Sequence, residues 1–217
     1  MLYPKAVIFD MDGTLVDNMD YHKQSWVALF KELNLDLTYD TFEHKYHKGS
    51  LVEIMGRLLP DVSDPIELRR IGRKKEALYR EMYHPYVTAI SGAVSFIQYL
   101  HAKKIPIGLA TMGDQRNIDF IFERLAMGAF FHSTTGGHEI THGKPHPEIF
   151  ITAAEKLGVP PKDCIVFEDS VAGVQAANTA NMISIGIGEE NVLHEADYVF
   201  SNFTEIDTAF IDKLIKR

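Results

Sequence analysis

The chain has 217 residues, of which 46% are hydrophobic and 24% are charged, and its 22 Lys and Arg against 30 Asp and Glu give a net charge of −8. This acidic balance argues against broad nucleic-acid binding, which needs clustered Lys and Arg to displace counterions from phosphates. No apolar run approaches the roughly 18 residues needed to cross a bilayer, and the first apolar run meets Asp10 and Asp12 too early for a signal peptide. We therefore expect a cytoplasmic protein with no nucleic-acid or membrane partner.

The length allows one or two domains, and a chain of this size can bury a large core without disulfides. The single cysteine, Cys164, lies in the apolar run 164–167. It cannot pair within the chain, which suits a reducing compartment. We predict a buried, structural thiol in a core strand.

Short apolar runs rich in β-forming residues recur along the chain and predict strands. They lie at 6–9, 105–110, 164–167, 183–187 and 198–200, with a weaker run near 129–132. Helix-period stretches separate most of them: one spans 92–100, one begins at Asp114, and one runs from Pro147 to Gly158. This alternation is typical of an α/β fold with a parallel, Rossmann-like sheet.

One region breaks this alternation, since residues 18–84 show helical spacing and no strand pattern. Its apolar stripes comprise Trp26, Leu29, Phe30 and Leu33, and then Leu51, Ile54, Met55, Leu58 and Leu59. A further helix begins at Asp64-Pro65, and its basic stretch 69–75 is predicted to be a solvated face. We predict a separate helical domain at 18–85, inserted between 1–17 and 86–217, which together form the α/β core. The alternative is that these helices simply cover the sheet.

An acidic pair follows the first predicted strand, in the segment Asp10-Met11-Asp12-Gly13-Thr14. In open α/β sheets, ligands bind beyond the carboxyl ends of the strands. Side chains two residues apart on an extended segment point the same way, so Asp10 and Asp12 would converge and repel unless a cation or a shared proton compensates. Magnesium suits this role, because it binds a few carboxylates together with water and phosphate oxygens. A solvated turn is the alternative.

Other predicted strands deliver polar side chains to the same edge of the sheet. Thr111 follows the second strand, Lys144 lies in a later Gly-Lys-Pro segment, and Glu168 and Asp169 follow the strand at 164–167. With the acidic pair, they supply a carboxylate nucleophile, groups that hold phosphate oxygens, and acids for a metal. The set indicates phosphoryl transfer.

In this order and spacing, the first acidic segment, Thr111, Lys144 and the pair Glu168-Asp169 resemble the motifs of the haloacid dehalogenase superfamily. The segment 167–177 is similar to the β-phosphoglucomutase-like branch, in which a helical cap is inserted just after the first motif. The resemblance covers essentially the whole chain. It implies a Rossmann-like α/β core with an inserted all-helical cap domain.

The resemblance also implies a role for each motif residue. Asp10 would be the nucleophile that forms an aspartyl-phosphate, and Asp12 would protonate the leaving group and then deprotonate the attacking water. Thr111 would hydrogen-bond the phosphoryl group, and Lys144 would neutralise it and orient Asp10. The ligands of Mg²⁺ would be the side chains of Asp10, Glu168 and Asp169 and the backbone carbonyl of Asp12. Because dehalogenases and phosphonatases lack the second acid, Asp12 favours phosphate-ester chemistry.

In the cap, the resemblance implies contacts with the substrate or the catalytic acid at His22 and Lys48. A cap that closes over the site would exclude water and set substrate choice. His44 and His47 have a spacing that could seat a metal, but two ligands without others are a weak signal. We therefore interpret these two histidines as solvated cap residues.

Two departures from the branch bear on the reaction. Its mutases hold a second phosphate with an arginine after the cap lysine and a lysine after the second-strand motif, where this chain has Val52 and Gly113-Asp114. An apolar side chain and a carboxylate disfavour a dianion. Arg57 or Arg116 could substitute, and the sequence leaves this open.

We therefore expect a magnesium-dependent phosphatase that hydrolyses a small phosphorylated metabolite, such as a sugar phosphate, and acts as a monomer. The alternatives are a phosphosugar mutase and an inorganic pyrophosphatase. A signalling receiver domain is disfavoured, because such domains are shorter and lack a helical insert. The glycine pattern at 186–191 lacks the third glycine of a dinucleotide-binding motif. A binding protein that keeps the motifs without activity is a further alternative, which an assay decides.

Overall fold

The computed structural model of the chain describes residues 5–46 and 49–215. It divides into two compact units, one formed by the chain up to Asp17 and from Thr88 onward, the other by Asn18–Val87. The first is an α/β unit and the second is helical. Across the described ranges, no helix is both long and apolar enough to cross a membrane.

Strands and helices alternate in the α/β unit, and helices follow one another in the helical unit. The helical unit contains α1 (Met19–Glu32), α2 (Tyr39–Lys45), α3 (Leu51–Leu58) and α4 (Pro65–Tyr83). The strands of the α/β unit are β1 (Ala6–Phe9), β2 (Ile107–Thr111), β3 (Ser133–Gly136), β4 (Cys164–Glu168), β5 (Ile183–Ile187) and β6 (Tyr198–Phe200). Its helices are α5 (Ala93–Ala102), α6 (Gln115–Leu125), α7 (Glu148–Leu157), α8 (Val171–Thr179) and α9 (Thr208–Ile215).

The strands form one parallel sheet in the order β3-β2-β1-β4-β5-β6. Phe9 of β1 lies opposite Leu109 of β2 and Phe167 of β4, so β1 is central. Because all neighbouring strands run parallel, their carboxyl ends meet at one edge of the sheet. The predicted α/β fold with a Rossmann-like parallel sheet is confirmed.

Buried side chains pack against both faces of the sheet. On one face, Ala6 and Ile8 of β1 share a core with residues of α7 and α8, including Phe150 and Ala176. On the other face, the ring of Phe9 contacts the rings of Phe96, Phe131, Phe167 and Phe203. A strand covered on both faces has no solvated side, which explains why these strands are continuous apolar runs in the sequence. Cys164 of β4 is a buried free thiol, as predicted.

The predicted strand near 129–132 is wrong in position. Gly128–Phe130 forms a short 3₁₀ turn, and the edge strand β3 comes directly afterwards. The ring of Phe131 packs against Phe9 and Phe122, so this aromatic residue belongs to the core beneath the sheet. β3 itself is made of Ser, Thr and Gly. It is an edge strand that pairs only with β2 among the described strands of the sheet, and an edge strand needs fewer apolar side chains than a central one.

The helical unit has its own apolar core, to which α1, α3 and α4 contribute Trp26, Met55 and Ile71. The basic stretch 69–75 on α4 is only partly the predicted solvated face, because the side chain of Lys75 is 3% exposed. Lys75 lies four residues from Ile71 and from Tyr79, both of which are buried. Helical spacing therefore places this lysine on the buried face of α4.

Candidate active site

Asp10, Thr111 and Glu168 stand at the carboxyl ends of adjacent strands. Asp10 directly follows β1, Thr111 ends β2 and Glu168 ends β4. Since β1 lies between β2 and β4, the three side chains begin at the same edge of the sheet, where ligands of open α/β folds bind. All three are buried, with at most 5% of the residue exposed. The sheet topology thus brings these three sequence-predicted residues together.

A cluster of carboxylates occupies this edge. Ligand oxygens of Asp10, Glu168 and Asp169 all lie within 4.8 Å of one another. Gly13 has a φ of +82°, and a Cβ at this position would collide with the Asp169 carboxylate, so glycine is needed there. The hydroxyl of Thr14 donates a hydrogen bond of 3.2 Å to Asp169 Oδ1. The segment after β1 is therefore shaped to receive the Asp169 side chain.

Lys144 lies among these acids. Its Nζ is 2.6 Å from Asp10 Oδ1 and 2.7 Å from Glu168 Oε2, and its side chain is 7% exposed. Burial by itself lowers the pKa of the Lys144 ammonium, but the carboxylates of Asp10 and Glu168 outweigh it and raise that pKa above its ordinary value. Lys144 is therefore a permanent cation that joins the nucleophile candidate to the end of β4.

One lysine does not neutralise the cluster. Burial, and then the charge of Glu168, raise the pKa of Asp10 well above its ordinary value, although Lys144 acts in the opposite direction. The same two causes raise the pKa of Asp169 from 3.8 to about 8. Three carboxylates against one ammonium leave an excess of two negative charges when all are ionised. Buried oxygen donors with uncompensated charge fit a hard divalent cation such as Mg²⁺.

Glu168 is held on both sides of its carboxyl group. Its Oε1 accepts hydrogen bonds from the Ser170 hydroxyl at 2.6 Å and the Ser170 N–H at 3.2 Å, while Oε2 faces Lys144. The Ser170 hydroxyl also accepts from the Gly173 N–H and so caps α8. A Cβ on Gly173 would collide with the Glu168 carboxyl group. The start of α8 therefore fixes which oxygen of Glu168 faces Lys144.

Asp12 is not one of the three grouped carboxylates, although its charge contributes to the raised pKa of Asp10. Its Oδ2 accepts a hydrogen bond of 3.2 Å from the Thr111 hydroxyl, and the Gly113 N–H donates to that hydroxyl at 3.0 Å. The structure thus pairs Asp12 with Thr111, both of which were expected to face the phosphoryl group. A contribution of the Asp12 backbone carbonyl to a metal site stays a prediction.

The predicted cap residues divide into two groups. Lys48 and His47 lie outside the described residues, while His44 is exposed on α2. His22 lies on α1, where its ring stacks on Tyr79 with centroids 3.8 Å apart and its Nδ1 is 2.6 Å from Lys75 Nζ. Lys75 was missed as a buried partner of His22, although its spacing from Ile71 carried the signal. A substrate contact of His22 or Lys48 stays a prediction.

Two arginines were considered for a second phosphate. The guanidinium of Arg57 donates a hydrogen bond of 2.7 Å to the Tyr46 carbonyl, within the helical unit. Arg116 is exposed at the start of α6. Asp114, which stands near the position of the mutase lysine, accepts from the Asn117 N–H and caps the same helix. Arg57 and Asp114 thus both have a local structural partner.

The protein without metal is expected to lose stability as the pH rises from about 5 to about 8, with little further loss above about pH 8, and Mg²⁺ is expected to restore it. The raised pKa of Asp169 means that the folded state holds a proton up to about pH 8. This stabilisation is complete below the ordinary value of 3.8 and is lost as the pH rises through about 8. Thermal unfolding in EDTA and in Mg²⁺ measures both effects.

The matched control for this pH dependence is D169N, which removes the titrating carboxyl group and retains its shape. We expect this variant to show a flatter dependence of Tm on pH in EDTA and a smaller increase of Tm with Mg²⁺. A wild-type Tm in EDTA that rises over the same interval contradicts the prediction. An increase with Mg²⁺ that is equal in wild type and D169N contradicts it as well.

Known proteins share this sequence and fold. A family model for haloacid dehalogenase-like hydrolases matches residues 4–181. The chain is 31% identical over 212 residues to a β-phosphoglucomutase of Bacillus subtilis, covering 93% of this chain and 91% of that protein. It is 29% identical over 185 residues to a phosphorylated carbohydrates phosphatase of Thermotoga maritima, with 82% of each chain covered.

Solved structures agree with the sequence relatives. The crystal structure of a β-phosphoglucomutase from Clostridium difficile matches with a TM-score of 0.84 and 27% identity, covering 98% of this chain and 97% of that one. The family match extends over most of the chain, and the relatives include phosphatases and a phosphosugar mutase. The chain therefore belongs to the haloacid dehalogenase-like hydrolases, in their β-phosphoglucomutase-like branch, and is an enzyme of phosphoryl transfer.

Proposed function

We propose that this enzyme is a Mg²⁺-dependent phosphatase that hydrolyses a small phosphorylated metabolite, such as a sugar phosphate, through an aspartyl-phosphate on Asp10. The observation that carries the proposal is the convergence of Asp10, Glu168 and Asp169 around Lys144 at the end of β1. Lys144 opposes the effect of burial and Glu168 on the pKa of Asp10 and so favours its ionised form, which is the form that can attack a phosphate ester.

In the first half-reaction, a carboxylate oxygen of Asp10 forms a bond to phosphorus while the ester P–O bond breaks. The leaving oxygen takes a proton from Asp12, which must therefore begin the cycle protonated. Lys144 compensates charge on the phosphoryl oxygens and keeps Asp10 oriented through their contact of 2.6 Å. The Thr111 hydroxyl, which donates to Asp12 in this structure, could turn to a phosphoryl oxygen.

In the second half-reaction, water attacks the phosphorus of the aspartyl-phosphate. Asp12, now ionised, takes a proton from this water, and the bond between phosphorus and the Asp10 oxygen breaks. Inorganic phosphate leaves, and Asp10 and Asp12 regain their starting states. Asp10, Glu168 and Asp169 would hold Mg²⁺ together with the Asp12 carbonyl. When bound, the ion supplies positive charge that favours ionised Asp10 and offsets the charge of the phosphate.

Hydrolysis is favoured over mutase activity by the residues near the expected second-phosphate positions. Val52 lies on α3 and packs against the apolar core of the helical unit, and the Asp114 carboxylate caps α6. The arginine and the lysine that hold a second phosphate in the mutases are thus replaced by an apolar side chain and a carboxylate, which disfavour a dianion. The similarity to the Bacillus subtilis β-phosphoglucomutase keeps the mutase as the second candidate.

Turnover of p-nitrophenyl phosphate with and without Mg²⁺ tests the proposed chemistry. We expect hydrolysis that depends on Mg²⁺, is lost in EDTA and is restored when the ion is added back. The absence of hydrolysis in the wild type, or hydrolysis that persists unchanged in EDTA, contradicts the proposal.

A substrate screen then separates the remaining alternatives. It contains sugar phosphates, nucleotides, phosphoglycolate and pyrophosphate, and β-glucose 1-phosphate together with a bisphosphate activator. Free phosphate from a sugar phosphate supports the phosphatase, and glucose 6-phosphate as product supports the mutase. Preferential cleavage of pyrophosphate supports the pyrophosphatase. A monomeric state and a cytoplasmic location are further predictions, which sedimentation and cell fractionation test.

A further inference from the structure

A loop that is mostly exposed carries the buried Lys144. This segment, residues 137–147, connects β3 to α7, and we call it the lysine loop. Thr141, His142, Pro145 and His146 are exposed, while Lys144 is buried. An exposed loop has few neighbours to hold it in place, yet Lys144 Nζ makes contacts of 2.6 and 2.7 Å with two carboxylates. Some interaction must therefore fix the path of this loop.

The side chain of Glu148 provides such an interaction. Its Oε1 accepts a hydrogen bond of 2.9 Å from the Thr141 N–H, and its Oε2 accepts one of 2.8 Å from the His142 N–H. Glu148 is the first residue of α7, so its carboxylate links the part of the lysine loop before Lys144 to the helix that follows Lys144. These two bonds lower the pKa of Glu148, which shows that they favour the ionised acid.

A third hydrogen bond closes the loop around Lys144 itself. The His146 N–H donates to the Gly143 carbonyl at 3.1 Å, so the residues on either side of Lys144-Pro145 form a tight turn. This turn lies between the two ends that Glu148 joins. The Glu148 carboxylate therefore helps to hold this turn against α7, together with Ile140, which packs against the core, and Glu139, which contacts Lys156 of α7.

We propose that Glu148 is a positioning residue, which acts through the lysine loop to hold Lys144 Nζ between Asp10 and Glu168. The expected effect on turnover rests on the proposed function. The expected effect on the position of Lys144 does not. Displacing a catalytic group by about 1 Å can lower a rate about 100-fold. An acidic residue at a helix N-terminus also stabilises the helix, so the test must separate positioning from helix stability.

The kinetic test is a double-mutant cycle of E148A with K144A. E148A is expected to lower kcat on p-nitrophenyl phosphate by about 10- to 100-fold with a much smaller change in KM. In the K144A background, E148A should have little further effect, because the group through which Glu148 acts is already gone. E148Q retains one acceptor oxygen and should lie between wild type and E148A. Equal losses from E148A in both backgrounds would overturn the inference.

Glu205 offers the matched control. It is an exposed acid whose Oε2 accepts a hydrogen bond of 2.9 Å from the Ser201 N–H in another loop of the α/β unit. Like Glu148, it accepts a hydrogen bond from the backbone a few residues earlier in the chain, although from one N–H group instead of two, and it lies outside the lysine loop. E205A should change kcat less than about twofold. If E205A and E148A lower kcat equally, the effect is a general loss of loop stability and the inference is wrong.

A measurement without turnover keeps the inference testable if the phosphatase assignment fails. In protein labelled with ¹⁵N-lysine, the ammonium signal of Lys144 is assigned by its loss in K144A. We expect this signal to broaden or shift in E148A and, to a smaller extent, in E148Q, and to remain unchanged in E205A. An unchanged Lys144 signal in E148A overturns the inference, whether or not the wild type hydrolyses phosphate esters.

Discussion

Replacing Asp10 with asparagine is expected to reduce turnover by about 10⁴-fold or more, the scale seen when a nucleophile is removed. The amide keeps the shape of the side chain but cannot form an acyl phosphate. In the wild type, acid-quenched enzyme should carry one added phosphoryl group, detected by intact mass spectrometry. In D10N this adduct should be absent, and steady-state hydrolysis should fall to the background rate.

The loss in D10N should not come from unfolding. Because burial and Glu168 raise the pKa of Asp10, a neutral side chain relieves charge repulsion, and Lys144 keeps Glu168 as a partner. We expect the Tm in EDTA at about pH 8 to stay equal to that of the wild type or to rise. The control is D17N, which alters an exposed aspartate of the same segment and should retain wild-type turnover. D10N activity above a tenth of the wild-type rate contradicts the proposed nucleophile.

The strands that carry the site were predictable because they are buried on both faces. The runs at 6–9, 164–167 and 183–187 correspond to β1, β4 and β5 within one residue. A strand between two helical layers is mostly apolar, so its sequence differs from that of its surroundings. The edge strand β3 consists of Ser, Thr and Gly, and the apolar residues next to it pack elsewhere. Hydrophobicity therefore predicted a strand a few residues too early.

The positions of Asp10, Thr111 and Glu168 could be predicted from topology alone, since they follow strands that meet at one edge. The contact of Lys144 with Asp10 was implied only by the family resemblance, and its contact with Glu168 was not predicted, because a loop has no period that places its side chains. Glu148 was missed for the same reason: it matters through two backbone N–H groups that no sequence pattern displays. Lys75 is a different case, because the spacing from Ile71 to Tyr79 already marked a buried position.

Replacing Lys144 with alanine is expected to lower kcat by about 10³-fold and to destabilise the folded protein without metal by about 3 kcal/mol at high pH. The substitution leaves Asp10 and Glu168 buried without the ammonium that both contact. Removing one partner of a buried ion pair is costly because the other charge stays desolvated. Urea unfolding in EDTA measures the loss of stability, and p-nitrophenyl phosphate turnover measures the loss of activity.

The sign of the pH dependence separates this effect from a packing defect. Lys144 lowers the pKa values of Asp10 and Asp169, so these carboxyl groups bind protons more tightly in K144A. Protonation removes the unpaired charges, and the destabilisation should therefore shrink as the pH falls towards about 5. K156A is the matched control, because Lys156 pairs with Glu139 while its side chain is 33% exposed, and its loss should cost less than about 1 kcal/mol. A K144A destabilisation that is the same at low and high pH would identify lost packing, and would contradict a role for this lysine in compensating the acidic cluster.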